Sequence, residues 1–187
     1  MKILLIIFFV LFMLPRESLS QSKTVNKKIK SNAQKTLEIL DGLCLQNTDD
    51  FSNIDRISKA VGYKRVPNSI QDADPSYYKN GGSSYYGDLD GLKFMIGYIK
   101  NGGCTVALKS VNANEFIKIL TKNFKIKHSY KTNEGVQIQE FFNIEKGSIY
   151  AGGIFSVNYG KPETGIETLS VSYLPSEVVL KIKNQNK

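Results

Sequence analysis

GLKFMIGYIKNGGCTVALKSVNANEFIKILTKNFKIK, residues 91–127, reads as strand, tight turn, strand and helix. Leu92, Phe94, Ile96 and Tyr98 alternate with Lys93, Met95, Gly97 and Ile99, a period of two with one fully apolar face. Asn101-Gly102-Gly103 follows, and Asn-Gly can supply the two positive φ angles of a type I′ hairpin turn. Cys104, Val106 and Leu108 then alternate with Thr105, Ala107 and Lys109. Asn112 stands where a helix N-cap belongs, with Glu115 three residues on, a capping-box spacing. Val111 before the cap can staple onto Phe116, and Phe116, Ile117, Leu120 and Phe124 make one helical face.

Working back from this unit, Thr24 to Leu45 is helical in pattern. Val25, Ile29, Ala33, Leu37, Leu40 and Cys44 step by three or four, and lysines fill the other faces. Lys-rich residues in the first turn oppose the helix dipole, so fraying is expected there. Asn47 or Thr48 is expected to cap a second helix, with Asp49 and Asp50 in its first turn, Phe51, Ile54, Ile57 and Val61 as its stripe, and Gly62 as its stop. The short link implies an antiparallel helical hairpin. The chain has two cysteines, Cys44 and Cys104. In an oxidising compartment a disulfide between them is expected, pinning the hairpin to the start of the second central strand.

Working forward, four more strands are expected. Ile126, His128 and Tyr130 alternate with lysines and a serine; Asn133-Glu134-Gly135 turns the chain; Val136 to Ile144 follows, its parity slipping near Glu140 as at a β-bulge. Ile149 to Tyr159 is the next strand, kinked at Gly152-Gly153, and Leu169, Val171 and Tyr173 mark the last. Pro175 ends it, Ser176 to Lys183 reads as a short helix, and 184–187 as a loose tail. The fold class is therefore α+β. A mostly antiparallel sheet of about six strands should be covered on one face by the N-terminal helical hairpin and the central helix.

Tyr63 to Asp90 breaks the pattern. Pro67, Pro75, Gly81-Gly82 and Gly87 interrupt it, and no period runs through it, so it is expected as a long loop. Its Tyr, Ser, Gly and Asn content is that of adaptable recognition loops, where tyrosine gives contact area with few torsions to freeze. Tyr77, Tyr78, Lys79, Tyr85, Tyr86 and Asp88 are the candidate partner-binding residues. The alternative is an ordinary connection whose tyrosines pack back onto the sheet.

Residues 1–20 read as a signal peptide. Lys2 is the positive head, Ile3 to Leu14 an unbroken apolar run, and Ser18-Leu19-Ser20 a small-x-small cleavage site. The run is shorter than the roughly 17–25 residues of a spanning helix. Residues 21–187 are then one exported domain, periplasmic or secreted, with no membrane span of its own. Cleavage takes the formal charge from +8 to +7, losing Lys2, Arg16 and Glu17. Such a charge draws a protein to acidic surfaces or partners, or simply keeps it soluble.

Chemistry is scarce. His128 is the single histidine, so HExxH and multi-histidine metal sites are excluded. There is no GxSxG elbow and no phosphate-binding glycine pattern. Asp88-Leu89-Asp90-Gly91 echoes the start of a calcium loop but lacks the closing Glu. No catalytic residue, metal or cofactor is assigned, and nucleic acid is not an expected partner. The expected function is that of an exported, non-enzymatic binding protein of immunity or inhibitor type, whose partner is a protein of the cell envelope. Two alternatives stand beside it: an envelope-associated structural protein on anionic lipid or wall polymer, and a hydrolase using carboxylates near Asp88 and Asp90.

Overall fold

The computed structural model describes residues 30–67, 81–160 and 165–185. The expected signal peptide, Tyr77, Tyr78 and Lys79 lie outside these residues.

Ser31 begins the first helix. Its hydroxyl accepts the Gln34 N–H at 3.2 Å while the Gln34 side chain accepts the Ser31 N–H at 3.0 Å, a closed capping box. Helix α1 runs Asn32–Ile39, widens into a π turn over Leu40–Cys44 and tightens into a 3₁₀ turn over Leu45–Asn47. The Asn47 amide donates to the Gly42 carbonyl at 3.2 Å and to the Leu43 carbonyl at 3.0 Å, bracing the irregular turns. The second helix, α2, is Asn53–Ala60, starting later than the expected Asn47 or Thr48 cap. Asp50 instead accepts the Ser52 N–H at 2.9 Å in the approach to it.

Eight strands follow in one sheet: β1 (Lys64–Arg65), β2 (Ser83–Leu89), β3 (Leu92–Tyr98), β4 (Cys104–Lys109), β5 (Ile126–Glu134), β6 (Gln137–Ile144), β7 (Ile154–Gly160) and β8 (Thr168–Leu174). Helix α3 (Ala113–Asn123) separates β4 from β5, and α4 (Ser176–Gln185) follows β8. The sheet order is β1-β2-β3-β4-β8-β7-β6-β5, and every neighbouring pair is antiparallel. Two four-stranded meanders thus meet at β4–β8. Helix α3 carries the chain from the centre of the sheet to its far edge, and the second meander returns inward.

The α+β class and the antiparallel sheet hold, but eight strands replace the expected six. The two additional ones, β1 and β2, come from the segment read as a loop over 63–90. Apolar alternation does not mark β2 because one of its inward positions is Gly87. That residue faces Phe94 across the ladder, and the Phe94 ring occupies the space a side chain would fill. The type I′ backbone also falls elsewhere: Asp90 and Gly91 take φ of 50° and 81° between β2 and β3, whereas at 101–102 only Asn101 is positive. The β-bulge is in β5, between His128 and Tyr130, rather than near Glu140. Strand β7 starts at Ile154 because 148–152 turn, and Asn184 and Gln185 belong to α4 rather than to a tail.

Cys44 and Cys104 form a disulfide, both fully buried, joining the π turn to the first residue of β4. Around them one core cluster gathers Ala33, Leu40 and Ile54 of the helical front, Phe116 and Leu120 of α3, and alternate residues of the sheet, among them Ile96, Val106, Val171 and Phe155. The Asn112 side chain caps α3 by accepting the Glu115 N–H at 2.8 Å, and Val111 and Phe116 are both buried. Two polar ties hold α1 to the strand ends: Asn32 donates to the Ser110 carbonyl at 3.0 Å and Lys35 to the Asp90 carbonyl at 2.8 Å.

Candidate functional site

Successive residues of a strand face opposite sides of its sheet, so the residues between the core positions define the second face. Across it, ladder partners form a row: Tyr86, Met95, Ala107, Ser170, Asn158 and Gln139. Ala107 and Ser170 are too short to fill the space over the middle of this row. A shallow depression of about 510 Å³ results, bounded by Tyr86 and Met95 on one side and by Asn158 and Gln137 on the other. Lys93 and Lys109 line one end of it, both exposed. Tyr86 is 42% exposed, a large amphipathic ring at the rim of an open surface.

The structure separates the expected binding residues. Tyr86 lies on this face. Its neighbour Tyr85 points the other way and is 2% exposed, in the core. The Tyr85 hydroxyl donates to Asp55 of α2 at 2.8 Å. Burial, followed by the hydrogen bond and charge of Asp55, pushes this phenol up to about 12. Tyr98 is raised by burial and by the Asp55 charge as well. Tyr85 therefore fastens α2 to β2 and is not presented to a partner. Asp88 is exposed beside the β2–β3 turn, where its Oδ1 accepts the Gly91 N–H at 2.8 Å. Asp90 is exposed too, and neither carboxylate lines the depression.

A second constellation escapes sequence reading. Glu140 of β6, its side chain 12% exposed, collects three partners: His128 Nε2 at 3.1 Å, Lys131 Nζ at 3.2 Å and the Tyr159 hydroxyl at 2.5 Å. Burial works to raise the Glu140 carboxyl, but the hydrogen bonds from Tyr159 and Lys131 and the nearby positive charges outweigh it and hold it below the usual range. Burial and then the Glu140 carboxylate raise the Tyr159 phenol. An ionised, fully partnered carboxylate and a phenol that holds its proton are poorly suited to exchange protons near neutral pH. The group instead ties β5, β6 and β7 together. The sequence signal that could have found it is the cross-strand pair Lys131–Glu140, legible only once the register is known.

Among the described residues no cluster of His, Cys, Asp and Glu is suited to hold a metal ion, and no helix is long and apolar enough to cross a membrane. No protein-family model matches the chain, and no match to it is found among curated proteins or solved structures.

Proposed function

We propose that this chain is an exported binding protein of immunity or inhibitor type, which engages a protein partner in the cell envelope and catalyses no reaction. The observation that carries the reading is the depression over Ala107 and Ser170, edged by Tyr86 and Met95, on the face opposite the core. An amphipathic aromatic beside a small-residue floor offers a partner contact area without a large ordering cost. The scaffold beneath it is stiff. Helices α1, α2 and α3 contribute to a core on the other side of the sheet, and the buried Cys44–Cys104 bond ties that layer to β4, the strand that carries Ala107. Preorganisation of this kind favours binding because little is left to order on contact. Export fits the disulfide, which persists in oxidising compartments.

The test is photocrosslinking in intact cells. A photoreactive amino acid at position 107 is expected to capture one envelope protein repeatedly, and the same residue at exposed Lys118 on α3 to capture none. Equal capture from both positions, or none from 107, sinks the reading.

A further inference from the structure

The reading of the depression as a partner-binding face leaves open what chemistry the partner brings, and the charges at its rim answer that. Lys93 and Lys109 sit on adjacent antiparallel strands, each one residue beyond the paired Phe94 and Leu108. Both side chains are exposed on the second face. Like charges placed together on neighbouring strands repel. Among the described residues neither lysine makes an ion pair. Asp88 is the ladder partner of Lys93, yet one of its carboxylate oxygens is turned to the Gly91 N–H and no contact to Lys93 within ion-pair distance forms. The other polar groups of the lining, Tyr86, Gln137, Asn158, Thr168 and Ser170, are neutral. Two cations without an ion-pair partner therefore border one end of a depression whose other lining groups, Ala107, Met95, Ser170 and Thr168 among them, are uncharged.

Ala107 and Met95 lie two residues along their strands from Lys109 and Lys93, a distance of about 7 Å. An apolar side chain seated over Ala107 would thus place a carboxylate one or two residues away from it between the lysines. We infer that the partner's contact segment is acidic: an exposed loop or tail of a protein that sets Asp or Glu between Lys93 and Lys109 and a neighbouring apolar side chain on Ala107 beside Tyr86. The depression is open and shallow, which suits a protein segment lying across it better than a lipid chain needing enclosure. This inference rests on the reading of the same face as the binding surface.

The experiment selects displayed random dodecapeptides on the purified disulfide-bonded protein and maps the winners by amide chemical shifts. The expected result is enrichment of Asp or Glu within two residues of an apolar side chain, with shifts at Met95, Ala107 and Ser170. Lys93→Gln/Lys109→Gln should then weaken those peptides about tenfold, as two rim ion pairs allow, and salt should weaken them in the wild type. Peptides that map to the depression without acidic enrichment, or that bind the double variant equally, overturn the acidic partner but leave the face standing. Peptides that map elsewhere overturn both. Phosphatidylglycerol vesicles retained in a Lys93- and Lys109-dependent way, with no peptide selected, overturn the protein segment in favour of a lipid surface.

Discussion

His128 and Lys131, three residues apart on β5, both contact the Glu140 carboxylate of the neighbouring strand. In a regular strand, residues three apart face opposite sides of the sheet. The bulge between His128 and Tyr130 inserts Ser129 into the ladder, so that His128 pairs with Phe142, Tyr130 with Phe141 and Lys131 with Glu140. The extra residue is itself held, its hydroxyl donating to the Phe141 carbonyl at 3.1 Å. One inserted residue therefore builds the only three-partner carboxylate among the described ion pairs.

Replacing that carboxylate should cost stability with a defined pH dependence. The folded-state pKa of Glu140 lies below its unfolded value, so its contribution is fully present above the unfolded value near 4.3. That contribution is lost as pH falls through the lower, folded value. Glu140→Gln should destabilise the protein by about 1–2 kcal/mol at pH 7, and the gap to wild type should narrow as pH is lowered from neutral through the acid range. Urea unfolding across that range measures it. A gap that is constant with pH would show that the carboxylate charge contributes nothing.

The covalent tie sets a larger effect. Cys44 and Cys104 are separated by 60 residues. In the chain-entropy picture a loop of this length stabilises the folded state by about 4 kcal/mol. Cys44→Ala/Cys104→Ala should lower the urea midpoint accordingly and loosen amide protection in α1 and β4 first. Unchanged stability would mean that the helical front is held by packing alone.

Gly87 and Phe94 make a sharper test of the β2 register. A Cβ at position 87 would run into the Phe94 ring, which is itself held edge-on by Tyr63 at 5.3 Å between centroids. Gly87→Ala should therefore cost about 1–3 kcal/mol through overpacking, although alanine is ordinarily tolerated in strands. A neutral result in thermal unfolding would place the ring elsewhere and undo the pairing of β2 with β3.

The Tyr85-Tyr86 pair separates core from surface at adjacent positions. Tyr85→Phe removes the hydrogen bond to the part-buried Asp55 and should cost about 1 kcal/mol without changing partner binding. Tyr86→Ala should leave stability within about 0.5 kcal/mol and weaken binding. Thermal melts and a binding assay on the same two variants check the assignment. The reverse pattern would exchange their roles.

These residues also show what could be read from the chain alone. Strands β3 and β4, the cap at Asn112 and the Cys44–Cys104 bond were legible because each is signalled locally or by an unambiguous count. Strand β2 was not: its register is written in Phe94, on another strand, and its own inward positions, Ser83, Tyr85, Gly87 and Leu89, mix a serine and a glycine with apolar residues. The aromatic, glycine-rich composition that suggested a recognition loop there is partly core chemistry. Tyr85 answers to Asp55, thirty residues upstream. The Glu140 group was hidden for a related reason, since the bulge that assembles it shifts the parity on which sequence reading depends. The depression itself is the result of small residues, Ala107 and Ser170, on strands distant in sequence, and no single segment reveals such an absence of volume.

Binding is tested most directly at the surface over Ala107. Ala107→Glu puts a long, negatively charged side chain onto the floor of the depression while the core side of β4 is untouched. Once the crosslinked partner is in hand, titration calorimetry of wild type and variant should show a loss of affinity of at least about tenfold for the variant, with melting temperatures within about 2 °C of each other. Unchanged affinity in a stably folded Ala107→Glu protein would contradict the assignment of this face as the site of binding.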